Sequence, residues 1–190
     1  MISEKFIFFG LLIQIFGSLY YFKDILRGTT RPNLVSWLVW TLSPFVGAFF
    51  QYKAGAGILA LPIFMGGLIS LSVIALSSFK KNAFWKLNNL DLVCGVFSII
   101  ALGLYLVTHH LGISIVFAIA SDSLAYLPIF RKLWNFPNTE TSIVYFTGIL
   151  SNVLVLLTLK EAVASIYSFN LAVIILNLVV VFCIYRKKII

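Results

Sequence analysis

Residues 18–40 read SLYYFKDILRGTTRPNLVSWLVW, and residues 123–145 read SLAYLPIFRKLWNFPNTETSIVY. Laid over one another at an offset of 105 positions, they match without a gap. Ser18-Leu19-x-Tyr21 falls on Ser123-Leu124-x-Tyr126, Arg27 on Lys132, Pro32-Asn33 on Pro137-Asn138, Val39 on Val144 and Trp40 on Tyr145. Apolar coincidences further along, such as Phe64 on Phe169 and Leu71 on Leu176, count for little. The Pro-Asn pairs carry the weight, because each follows a basic loop and precedes an apolar run. One such pair has a local explanation: proline breaks or opens a helix, and Asn caps the orphan N–H groups. Two pairs at one offset, in the same surroundings, read better as an internal duplication.

Outward from these stretches the chain is apolar. Of its 190 residues, 61% are hydrophobic and 11% charged, with a mean hydropathy of +1.05. Soluble domains carry about 25% charged residues, and one this size lacks the interior to hide so much apolar surface. The fold class expected is all-α and polytopic, a single membrane domain over 1–190. A span needs about 20 mostly apolar residues to cross about 30 Å. Breaks at charges, Gly, Pro and Asn give seven candidates: 5–22, 34–52, 57–78, 89–107, 111–130, 140–158 and 165–185. Between the fourth and fifth, His109-His110 is the sole polar mark. The chain opens Met1-Ile2-Ser3-Glu4-Lys5 without a basic start or a small-x-small cleavage site, so the first segment is expected to be a retained helix. Cys94 and Cys183 fall within apolar spans and read as packing residues.

The basic residues set an orientation. Lys23, Arg27, Arg31, Lys80, Lys81, Lys86, Arg131, Lys132, Arg186, Lys187 and Lys188 fall in alternate loops, eleven of the 14 in the chain. Lys5, Lys53 and Lys160 lie opposite. The positive-inside rule then places the C-terminus in the cytoplasm and the N-terminus outside, which needs an odd number of spans. The net charge of +8 is thereby accounted for with no nucleic-acid partner. Membrane lipid is the expected contact, anionic head groups included. Association with further copies of the chain is left open, and the plasma membrane is the expected location.

Seven spans and one duplication read as three, one and three: a first repeat over 5–78, a linker helix over 89–107 and a second repeat over 111–185. Three crossings reverse the chain, so a single extra helix restores the second unit to the first one's orientation. Parallel repeats of this kind are one transporter plan. In this layout, and in Leu127-Pro128-Ile129-Phe130-Arg131-Lys132 leading through Pro137-Asn138 and Glu140 to Ser142, the chain resembles the PQ-loop and SWEET superfamily of membrane transporters. Ile129 stands where the family has Gln, and the first repeat has Lys23-Asp24 there without a proline. Trp37-Leu38-Val39-Trp40 is similar to the tryptophan-rich motifs of nicotinamide riboside-type transporters. The resemblance implies carriage of a sugar-like or vitamin-precursor-like solute by alternating access. A receptor or assembly scaffold of the same layout is the rival.

Polar side chains within spans mark candidate sites, because each must find a partner away from lipid. Gln14, Asp122, Asn152 and Asn177 fall near the middle of the first, fifth, sixth and seventh spans. Asp122 reads as a coupling or cation-binding group, a substrate contact, or a paired structural residue flanked by Ser121 and Ser123. Its repeat partner is Gly17, which excludes a symmetric role. Asn177 falls on Ser72, and the resemblance implies a pocket side chain on the third helix of each repeat. Asn152 falls on Gly47, and with Gln14 it reads equally as an interhelical hydrogen bonder. Trp37, Trp40 and Tyr145 read as an interfacial belt or as rings bordering a solute path. Pro44, Pro62 and Pro128 are expected as kinks, either hinges or tolerated bends.

No Walker loop, paired catalytic carboxylates, Ser-His-Asp arrangement or HExxH appears. His109-His110 lacks helical ligand spacing. No enzyme, cofactor or metal is expected, and transport would be facilitated or ion-coupled.

Overall fold

A computed structural model of the chain describes residues 3–53, 55–80, 83–108, 111–159 and 164–189. His109, His110, Lys81 and Lys160 lie outside these residues. Among the described residues the regular structure is helical, with no strand. Seven α-helices follow in order: α1 (Phe6–Arg27), α2 (Leu34–Lys53), α3 (Leu61–Ser78), α4 (Asn89–Val107), α5 (Leu111–Asn135), α6 (Ile143–Thr158) and α7 (Ala164–Ile189). Short 3₁₀ turns at Gly57–Ala60 and Pro137–Thr139 lead towards α3 and α6. Among the described residues, five helical segments have the length and composition to cross a membrane: Phe6–Arg27, Leu34–Lys53, Gly57–Ser78, Asn89–Val107 and Tyr167–Lys187. α6 is apolar but shorter, with 16 residues.

Local chemistry sets the ends. Gly28 halts α1 at φ 80°, and its N–H closes on the Asp24 and Ile25 carbonyls, a turn open to a residue without Cβ. Asn88 and Asp91 form a reciprocal capping box at the start of α4. Several helices outrun their apolar stretches: α1 continues past 22 to Arg27, α5 past 130 to Asn135, and α7 past 185 to Ile189. Hydrophobic length measures the hydrocarbon slab, whereas a helix continues into the headgroup zone wherever its backbone bonds persist. α6 begins at 143 rather than 140, because Glu140 leaves the 3₁₀ turn in an extended conformation, φ −141° and ψ 147°. Pro62 is a correction as well. It lies in the first turn of α3, where a missing N–H costs nothing, and not inside the helix as a kink. Pro44 and Pro128 do sit inside α2 and α5.

Burial is inverted relative to a water-soluble protein. Phe8, Leu12, Phe16 and Leu19 of α1 and Val93, Val96, Phe97 and Ile100 of α4 face outward, while Gln14, Ser98, Ser121, Asn152, Asn170 and Asn177 are buried. In hydrocarbon this is the low-energy arrangement, since lipid competes for apolar contacts but satisfies no polar group.

α3 packs against both α1 and α2, and α7 against both α5 and α6. α1 meets α6, α2 meets α5, and α4 lies on α5 and α2. Small residues permit the close approaches. A Cβ added at Gly17 of α1 would lie 1.9 Å from Oγ1 of Thr147 on α6, and one at Gly95 of α4 would lie 2.5 Å from a Val35 methyl. Ser98 donates to the Ser121 carbonyl at 3.0 Å, and Ser121 returns the bond to the Ser98 carbonyl at 2.8 Å, fastening α4 to α5.

Much of the positive charge gathers at one end. There Lys80 Nζ reaches the Ile25 and Leu26 carbonyls, Arg31 N–H reaches Thr139, Trp85 N–H reaches Pro32, and Arg131 reaches Asn88.

Candidate functional site

Burial of polar groups needs a reason, and here they converge on a cavity of about 140 Å³. All helices except α4 contribute to its described lining. Gln14 comes from α1; Trp37, Trp40 and Pro44 from α2; Gly66 and Ser70 from α3; Asp122 and Tyr126 from α5; Tyr145, Thr147 and Asn152 from α6; Phe169, Val173 and Asn177 from α7. Helical geometry explains the grouping. Asp122 and Tyr126, Gly148 and Asn152, and Phe169, Val173 and Asn177 are each spaced by four, so each set shares one helix face.

Of the residues singled out in the sequence, Asp122, Asn177, Asn152, Gln14, Trp40 and Tyr145 all line this cavity, and so does Trp37. Ser72 does not. It is exposed, with its hydroxyl turned back to the Leu68 carbonyl at 2.8 Å, and Ser70 takes the place on the cavity wall. The ungapped offset fails in the third helix of each set. Pro62, Gly66 and Ser70 line the cavity as Phe169, Val173 and Asn177 do, which moves the correspondence there from 105 to 107 positions. Pro44 borders the cavity from within its helix, Pro62 from the first turn of α3. Pro128 borders a second cleft instead, at the basic end beside Trp85, Arg131 and Phe136.

The polar groups divide into those already engaged and those turned to the cavity. Tyr126 donates to Asn177 Oδ1 at 2.9 Å, and Asn152 Nδ2 donates to the Gly148 carbonyl at 2.7 Å. Gln14 Oε1 and Trp40 Nε1 are buried with no hydrogen-bond partner among the described residues. Asp122 is 5% exposed. It is the one formally charged residue in the described lining.

Aromatic rings floor the cavity towards the basic end. Tyr21 and Trp37 lie 5.0 Å apart between centroids, Trp37 and Trp40 5.4 Å, and Trp40 and Tyr126 4.4 Å. Trp37, Trp40 and Tyr145 are nearly inaccessible, so they form an internal layer and not a lipid-facing belt. The Tyr21 hydroxyl donates to Glu140, which forms a buried ion pair with Lys132. The same ammonium donates to the Arg31 carbonyl at 2.6 Å. Alongside, Thr141 donates to Asp24 at 2.7 Å and bonds to Thr30. Tyr21, Asp24, Thr30 and Arg31 thus tie α1 and its following loop to α5 and the turn before α6. In the sequence Lys132 stands among the loop charges and Glu140 only within a motif. Their separation of eight residues hid the pairing, and the 3₁₀ turn between them makes it.

The chain matches no family model, no curated relative and no solved structure.

Proposed function

We propose that the chain is a seven-span carrier of a small solute, working by alternating access between the triplets α1–α3 and α5–α7, with α4 as linker. The reading rests chiefly on one observation: the polar, ring-floored cavity draws its described lining from all six triplet helices and none from α4. Exchanging α1, α2 and α3 with α5, α6 and α7 also carries the main contacts among these six helices onto one another, as a parallel repeat requires. The Tyr21–Glu140–Lys132 ties join α1 to α5 on the basic side of the rings. In this reading that end faces the cytoplasm of the plasma membrane and the N-terminus lies outside. Asp122, Asn177, Asn152, Gln14, Trp40 and Tyr145 contact the solute, and Pro44 allows α2 to bend.

Uptake into proteoliposomes, across a panel of sugars, nucleosides, amino acids and amines, tests the proposal. Wild type is expected to accumulate at least one solute. Asp122→Asn is expected to lower that uptake by about tenfold or more, the worth of one charge-assisted contact. Uptake of nothing on the panel, from protein that remains folded, would turn the reading towards a receptor or scaffold. Dependence on a pH gradient that disappears in Asp122→Asn would assign ion coupling to this carboxylate. A C-terminal reporter found outside the cell would overturn the orientation.

A further inference from the structure

We infer that the cavity selects a small organic cation, an ammonium of about six to eight non-hydrogen atoms, held by Asp122 and the rings of Trp40 and Tyr126. This rests on the reading of the cavity as the solute site and departs from the sugar-like solute that the resemblance implies.

Charge is the first ground. The described lining contains one carboxylate and no Lys, Arg or His. A carboxyl in such a place ionises at least cost when an opposite charge sits beside it, so the site favours a ligand of positive charge. The second ground is the wall. Trp40 and Tyr126 pack 4.4 Å apart at the same cavity as the carboxylate, and indole and phenol faces attract cations through their quadrupoles. Size is the third. About 140 Å³ is close to the engineered cavity of about 150 Å³ that takes benzene.

Quenching of intrinsic tryptophan fluorescence in the purified full chain reads binding directly. The probes are methylammonium, tetramethylammonium and choline, each up to about 10 mM, with 3,3-dimethylbutan-1-ol as the neutral carbon isostere of choline. Choline is expected to bind saturably and about tenfold or more tighter than its isostere, a difference of about 1.4 kcal/mol. Asp122→Asn is expected to abolish that preference. Trp40→Phe keeps an aromatic face in the wall and is expected to weaken the cation without admitting the isostere, which guards against an unfolded Asp122→Asn. Equal binding of choline and its isostere, or no binding of choline within that range, overturns the inference. Uptake of a neutral solute alone overturns it too, while leaving transport standing. Cation-selective binding without any uptake does the reverse.

Discussion

The Lys132–Glu140 pair is nine-tenths or more buried on both sides, and at that depth an ion pair is governed by desolvation. Its attraction roughly offsets the cost of leaving water, so the pair adds little net stability, whereas removing one partner strands the other at about 3–5 kcal/mol. Glu140→Gln is therefore expected to depress the thermal unfolding temperature in detergent markedly. The double variant Lys132→Met, Glu140→Leu should regain most of the loss. A double variant as unstable as the single one would show that the Tyr21 and Arg31 contacts, and not the stranded charge, carry the effect. At the level of single residues, intramembrane polarity was legible wherever a polar group stood within a long apolar run, as at Asp122, Asn152 and Asn177. It was not legible for Lys132, because a lysine beside an arginine at the end of a span reads the same whether its ammonium meets water or a buried glutamate.

Helix against helix, the α1–α6 crossing is the tightest point in the bundle to probe. With Thr147 Oγ1 1.9 Å and Thr147 Cβ 2.8 Å from an ideal Cβ at Gly17, neither helix can yield without moving backbone. Gly17→Ala is expected to cost about 1–3 kcal/mol through overpacking, read as a lowered unfolding temperature. Gly103 on α4 has nothing within 4 Å of an added Cβ. There Gly103→Ala should be neutral or stabilising by up to about 1 kcal/mol, the helix propensity difference. If both alanines have the same effect, the packing account of the crossing fails. The existence of these helices follows from apolar run length, but their ends do not, since Arg27, Asn135 and Ile189 lie beyond where hydropathy gives out. The exchange of Ser72 for Ser70 has a similar origin. An ungapped comparison cannot register two residues gained or lost between a second and a third helix, and a shift of two positions turns a helix face through about 200°.

For the molecule as a whole, composition called for apolar helices long enough to cross a bilayer, and five such helical segments are present among the described residues. What no linear pattern held was the assembly of one cavity from six helices, or the layer of rings at its floor. Those depend on which faces turn inward, and nearly every face here is apolar enough to turn either way. α4 stands apart, fastened to α5 by the Ser98–Ser121 exchange but merely resting on α2 where Gly95 meets Val35. An ideal Cβ at position 95 lies 3.8 Å from the Cβ of Val35, which is also the mean Cβ separation across a disulfide, about 3.8 Å. Val35→Cys with Gly95→Cys, in a background of Cys94→Ala and Cys183→Ala, should therefore oxidise readily to a covalent clamp between linker and first triplet. If the triplets rock, that clamp joins both through α4 and arrests uptake until a reductant frees it. Full uptake with the bridge intact would mean that α4 travels with α2 after all, and that the moving boundary runs between α4 and α5.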